Sequence, residues 1–251
     1  MTASIISTMD EMRILTAYAE TAAATLQAWR EHRDCGDSEL HRNSTRRLCF
    51  SSGCKFSATG ALRDVHEALL ACAQGDDALD VTPAAGLHFS FLAISWDLYD
   101  EPAEYANDAE DLIALFKTHT AGLNFCISQL RLVPLRNALL LAGVPDQASF
   151  DARHRFADAA MQTGWRRHME ARYRGYDIPP LFWHTTLARY NRKFAPAAMR
   201  ELYTRFSLRS FDDLSLGRPV LALVNYNWTR CFPLSDRDCS SQSSAPRRPR
   251  W

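Results

Sequence analysis

Neither sign of charge predominates in this chain: 29 Lys and Arg balance 29 Asp and Glu over 251 residues. Without a basic excess there is no global electrostatic grip for a long nucleic-acid duplex or an anionic membrane, so a small or terminal phosphorylated ligand is the more compatible partner. Cysteine is sparse too. Seven of them, an odd number and scattered, make no disulfide framework for a chain of this length, so a reducing, cytoplasmic compartment is expected. The spacing of Cys35, Cys49 and Cys54 matches no strong zinc pattern, and no metal or cofactor is expected. No apolar run reaches the length of a membrane span, and Met1 to Thr8 lack the basic flank and apolar stretch of a secretory leader. These absences predict a soluble protein with no membrane partner.

What the chain does have is a pair of apolar, strand-like runs, each with a histidine followed two residues later by a hydroxyl. The first, Gly86 to Ile94, holds His88 and Ser90, and the second, Leu181 to Tyr190, holds His184 and Thr186. Side chains alternate along a strand, so each run offers an imidazole and a hydroxyl on one face. Leu87, Phe89, Phe91 and Ala93, and Leu181, Trp183 and Leu187, root the opposite faces in a core. The bare spacing arises about once by chance among eight histidines, but here both matches lie in strand-like contexts, one in each half of the chain.

An unperturbed imidazole titrates near neutrality, so one ring of a pair can take a proton while the other gives one. Cleaving a phosphoester needs both at once, and the two hydroxyls can hold the non-bridging phosphate oxygens. This scheme requires no metal.

His184-Thr185-Thr186-Leu187-Ala188-Arg189 resembles the histidine motif of the 2H phosphoesterase superfamily, which includes the bacterial 2'-5' RNA ligase-like proteins and cyclic nucleotide phosphodiesterases. His88-Phe89-Ser90-Phe91 resembles the first copy, with Ser in place of the commoner Thr. The likeness covers residues 80 to 235 in layout, and its specific part is the two motifs. It implies an α+β fold of two lobes, with pseudo-duplicated antiparallel sheets, outer helices and a central cleft to which each lobe gives one motif. The family's extended strand before the first motif has no counterpart in the sequence pattern, because residues 1 to 75 read as mainly helical.

Periodicity predicts a helix over residues 9–30 with a stripe of Met12, Leu15, Ala19, Ala22, Leu26 and Trp29. An irregular basic connection follows over 31–57, then a helix over 58–74 capped by Thr59 and a turn-rich approach over 75–85. Beyond the first histidine strand come a helix over 103–118 and paired strands over 124–133 and 137–144. A helical segment over 146–174, broken near Gly164, leads to the second histidine strand, and a helix opens at Pro196. One long extended run covers 219–232. The domain expectation is a helical extension over 1–75 packed on the core, a two-lobed domain over 76–235 and a disordered basic tail over 236–251.

By resemblance, His88 and His184 are the acid and base, and Ser90 and Thr186 hold phosphate. Arg189 has the wrong parity for the His184 face in a regular strand and reaches a phosphate only if the strand bends. Tyr190, Tyr226 and Trp228 are candidates to stack on a base, with core packing as their alternative. The expected activity is hydrolysis of a cyclic phosphate or 2'-5' linkage in an RNA end or small nucleotide, with ligation as the reverse. A non-catalytic nucleotide or RNA-end binder using the same cleft is the alternative, and an interaction protein with both histidines satisfied in its core is a third.

Overall fold

The computed structural model describes residues 6–31, 45–74, 76–96, 98–102, 109–190 and 195–234. It is an α+β fold with two antiparallel sheets. One sheet has the strand order β3-β1-β8-β9, formed by His88–Ala93, Cys49–Lys55, Val220–Val224 and Cys231–Pro233. The other has the order β2-β6-β5-β4-β7, formed by Leu79–Val81, His184–Tyr190, Ala138–Pro145, Phe125–Pro134 and Leu214–Gly217. The helices are α1 (Thr8–Arg30), α2 (Gly60–Ala73), α3 (Glu110–Thr120), α4 (Gln147–Ala160), α5 (Arg166–Arg172) and α6 (Ala197–Phe206).

The duplication is one of topology. In one half β1 crosses through α2 to its neighbour β3, and in the other β5 crosses through α4 and α5 to its neighbour β6. Each half then runs through a helix and sends a strand into the opposite sheet: β4 lies beside β5, and β8 beside β1. The exchange ties the sheets together. Behind the histidine strands, Phe91 meets Trp183 edge-on at 6.0 Å, and Phe125 lies 5.8 Å from Phe91 and 5.5 Å from Trp183. Such aromatic contacts contribute about 0.5–1.5 kcal/mol each beyond the area they bury.

Several expectations need correction. Cys49–Lys55, inside the expected basic connection, is a strand between β3 and β8, and all of it but Lys55 is buried. Its Ser, Gly and Cys content gives no apolar alternation because it is covered on both faces, where small residues suffice. The segment up to residue 75 therefore supplies a central strand of the first sheet as well as helices. Residues 32–44 of that connection, including Cys35, lie outside the described residues, as do residues 103–108 at the start of the expected helix and the tail. Leu79–Val81, read as turn, pairs with β6. The long run over 219–232 is a hairpin, in which β8 and β9 pair across a turn at residues 225–230.

On α1 the buried face is Ile14, Tyr18, Thr25 and Trp29, while Met12 is 62% exposed. The stripe is rotated because Tyr18 reaches into the second sheet. Its hydroxyl donates to the Gly143 carbonyl at 2.8 Å and accepts from the Trp183 N–H at 3.0 Å, which steadies the chain one residue before His184.

Candidate functional site

Both histidines begin their strands, and both strands carry the same irregularity. In β3, Ser52 and Gly53 of β1 face Leu92 and Ser90, so Phe91 is an extra residue. In β6, Leu139 and Leu140 of β5 face Ala188 and Thr186, so Leu187 is extra. Each bulge falls three residues after its histidine, beyond the hydroxyl. A bulge resets the alternation of the residues that follow it. That is the bend Arg189 required, and its half-buried guanidinium acts electrostatically on both imidazoles.

His88 feels the charge of its counterpart. His184 is among the groups that disfavour a charge on His88, as expected for rings on strands that approach across the seam between the sheets. His88 is 6% exposed and His184 is half-buried. Burial is the main force on both. It drives His88 down to about 3, against the Gly86 carbonyl bond that favours its protonated form, with Arg189, His184 and Lys55 adding repulsion. It drives His184 down to about 4, with repulsion from Arg189, Arg153 and Arg172. Both rings are thus neutral near pH 7 in the free protein, inside a cationic surround suited to an anion.

His88 is clamped. Its Nδ1 lies 2.8 Å from the Gly86 carbonyl, and its ring stacks on Trp228 with 4.4 Å between centroids and a 13° tilt. Gly86 permits this by lacking a side chain, since a Cβ there would sit 2.1 Å from the Asn227 carbonyl. Gly53 does likewise beneath, where a Cβ would lie 2.3 Å from the Phe89 carbonyl and 3.2 Å from Trp228. Trp228 itself adopts a left-handed φ of 56° in the hairpin turn. At 3% exposure it supports His88 and has no open face for a base.

Ser90 is half-buried and Thr186 is 9% exposed, and neither hydroxyl has a hydrogen-bond partner among the described residues, which leaves both available to a ligand. Tyr190, by contrast, is fully buried, and its hydroxyl donates to the Leu135 carbonyl, so it belongs to the core and not to a binding surface. Tyr226 is half-buried. It lies 5.3 Å from the Arg189 guanidinium, and its hydroxyl donates to Asp80 at 2.8 Å. Burial, with that bond, pushes the phenol up to about 12. Asp80 pairs across the strands with Arg189, so Asp80 and Tyr226 together hold the arginine at the edge of the seam.

Lys55 was read only as one residue of the basic connection, and Asp80, Arg153 and Arg172 were not singled out from the sequence. Lys55 is the cross-strand partner of His88, and Arg172 donates to the Ser95 carbonyl and lies 4.1 Å over Trp96. Only a correct strand pairing could have found the first two, and nothing local marks the arginines. His66 is a buried brace whose Nε2 contacts the Thr82 carbonyl at 2.8 Å. Among the described residues, hollows of about 650, 560 and 350 Å³ lie along α1, between β4 and α6, and beside β7, and none of these is lined by either histidine.

No family model matches the chain, and no curated protein does. Among solved structures, it is similar to ATU0111, a conserved protein of unknown function from Agrobacterium tumefaciens, at 13% identity and a TM-score of 0.43 over 78% of this chain and 90% of that one. It is also similar to TT0787 of Thermus thermophilus, at 16% identity and a TM-score of 0.41 over 74% of this chain and 98% of that one. At these values the likenesses assign neither a family nor an activity.

Proposed function

We propose that the seam between β3 and β6 is the active site of a phosphodiesterase of the 2H type. It would hydrolyse a cyclic phosphate or 2'-5' linkage in an RNA end or small nucleotide by acid-base catalysis from His88 and His184, a scheme that needs no metal. The observation that carries this reading is the repeated geometry: two His-x-hydroxyl strands, each bulged three residues after its histidine, with Arg189 acting on both rings. Ser90, Thr186 and Arg189 would bind the non-bridging oxygens, where charge resides in the transition state. An arriving phosphate anion raises the basicity of both rings and draws in the proton that the free site lacks. The strand β1 supplies the extended element that the resemblance requires before the first motif.

The test is incubation of the purified protein with 2',3'-cyclic nucleotides and 2'-5' dinucleotides in EDTA, with products resolved by chromatography. Release of a nucleotide monophosphate supports the reading, and no turnover of any of them rejects it. A second reading, a nucleotide or RNA-end binder without turnover, is favoured by the low exposure of His88 and by the neutrality of both rings. It would show saturable binding of the same compounds with no product.

A further inference from the structure

The hollow of about 560 Å³ between β4 and α6 has charge of one sign only: Arg131 and Arg209 line it, and no Asp or Glu does. Neither guanidinium is paired with a carboxylate among the described residues. A break in β4 sets this up. Gln129 and Leu130 stand opposite Gly143 alone, and Gln129 takes a left-handed φ of 51°, which residues with a side chain rarely adopt. Nε of Arg131 donates back to the Gln129 carbonyl at 3.3 Å, so the guanidinium is oriented while its terminal N–H groups have no acceptor among the described residues. The same residue draws the nearby acids away. Its backbone N–H donates to Asp213 at 3.3 Å and its side-chain amide to Glu11, and both carboxylates line the neighbouring hollow beside β7 instead. Backbone strain of this kind concentrates where a ligand is held.

Two guanidiniums with open N–H edges match the oxygens of a phosphate group, and a water-filled hollow with no competing carboxylate leaves them to it. The hydroxyls of Tyr203 and Ser210 also line the hollow and have no partner among the described residues, whereas that of Ser207 donates to the Thr204 carbonyl at 3.4 Å. Phe211 and the Tyr203 ring, both half-buried, give an apolar wall for whatever the phosphate is attached to. The volume lies within the range of small-molecule sites, roughly 300–1,000 Å³. We propose that this hollow is a second anion site, in which Arg131 and Arg209 hold a phosphate group, free or as a small monoester. It goes beyond the hydrolase reading and does not depend on it, since neither histidine lines the hollow.

The floor of the hollow is Tyr18, and Arg131 acts electrostatically on its phenol. That hydroxyl donates to the carbonyl of Gly143, the residue opposite the bulge, and accepts from the Trp183 N–H. A phosphate between the two arginines therefore abuts the residue that steadies the chain before His184. The hollow and the seam are neighbours through one side chain, yet share no lining residue among those with a role in the seam.

The experiment is an NMR titration of the full-length protein, labelled with nitrogen-15 in arginine, first with inorganic phosphate and then with phenyl phosphate, each against sodium chloride at matched ionic strength. The Nε–H signals of Arg131 and Arg209 should move together, saturably and with one midpoint for each ligand, and chloride should not reproduce the change. Arg131→Gln should weaken the titration read at Arg209 by at least about tenfold, the effect of losing a charge-assisted hydrogen bond, and Arg209→Gln should do the same at Arg131. Arg209 is exposed, Arg131 is half-buried and neither holds an ion pair, so both variants should keep the wild-type urea midpoint. Tighter binding of phenyl phosphate marks a monoester as the ligand and equal binding marks free phosphate, and either supports the site. Shifts that grow without saturation, that chloride reproduces, or that Arg131→Gln leaves unchanged at Arg209 overturn it. The seam has its own reporter in the Arg189 signal, so a phosphate bound there cannot be mistaken for one in the hollow.

Discussion

The His88 imidazole lies flat on the Trp228 indole, 4.4 Å away and tilted by 13°, so the ring is fixed from one side by stacking and at Nδ1 by the Gly86 carbonyl. This clamp is expected to matter more to turnover than to ligand affinity, because misplacing a proton-transfer group penalises the transition state most. Trp228→Phe should fold and lower kcat by about tenfold with KM little changed. Trp228→Ala should also lose about 3–5 kcal/mol of stability, as buried indoles do. Steady-state kinetics beside urea denaturation checks both, and an unchanged kcat in Trp228→Ala would remove Trp228 from the site.

Gly86 gives an independent test of the same clamp. A Cβ there would overlap the Asn227 carbonyl, so Gly86→Ala must displace either the hairpin turn or the start of β3. The expected result is a loss of about 1–3 kcal/mol, as for other overpacked sites, together with loss of the upfield shift that stacking gives the His88 ring protons. Wild-type stability with the shift retained would contradict the close approach.

The depressed basicity of the histidines fixes the sign of a pH effect on stability. The native rings bind protons near pH 3 and 4, whereas the unfolded rings do so near the ordinary value of about 6.5. Between those limits the unfolded state holds the extra protons. The stability from the two neutral rings is therefore complete above pH 6.5 and falls as the pH drops toward 4. Urea midpoints measured at pH 7.5 and 4.5 should converge in the His88→Gln, His184→Gln double variant relative to wild type. For an anionic ligand the sign is opposite: affinity should rise as the pH falls from 7 to 5, which calorimetry with inorganic phosphate would detect as proton uptake.

Arg189 repels protons from both rings and would attract phosphate. Arg189→Gln should weaken phosphate binding by at least about tenfold, the usual magnitude for losing a charge-assisted hydrogen bond. It should also raise the basicity of both histidines, moving the acidic limb of the rate profile to higher pH. An altered affinity with an unmoved limb would place Arg189 at the ligand but away from the rings.

The histidine strands, most helices and the β4-β5 pair were legible in the sequence because their apolar periods match those of the elements they form. β1 was not, since a strand covered on both faces by small residues has no alternation to read, and β2 is too short to show one. The hairpin at residues 225–230 was hidden by a continuous apolar and aromatic run in which Asn225 and Asn227 turn the chain through side-chain bonds to its own backbone and Thr229. The face of Arg189 was legible only under a condition, that the strand be regular or bent. Parity arguments assume an unbroken ladder, and the extra residue Leu187 breaks it. Trp228 and Tyr190 show the limit of residue type as a guide: one supports a histidine and the other fills the core, and only the packing distinguishes them from a stacking platform.

The central claim is that both imidazoles act on one phosphate. The most direct measurement is turnover of a 2',3'-cyclic nucleotide in EDTA by wild type, His88→Ala, His184→Ala and the double variant, with binding of a non-hydrolysable analogue measured for each. The account predicts that either single change lowers kcat by at least about a thousandfold and that the double change costs little more, while the affinities stay within about tenfold of wild type. Turnover near the wild-type rate in either single variant would contradict it.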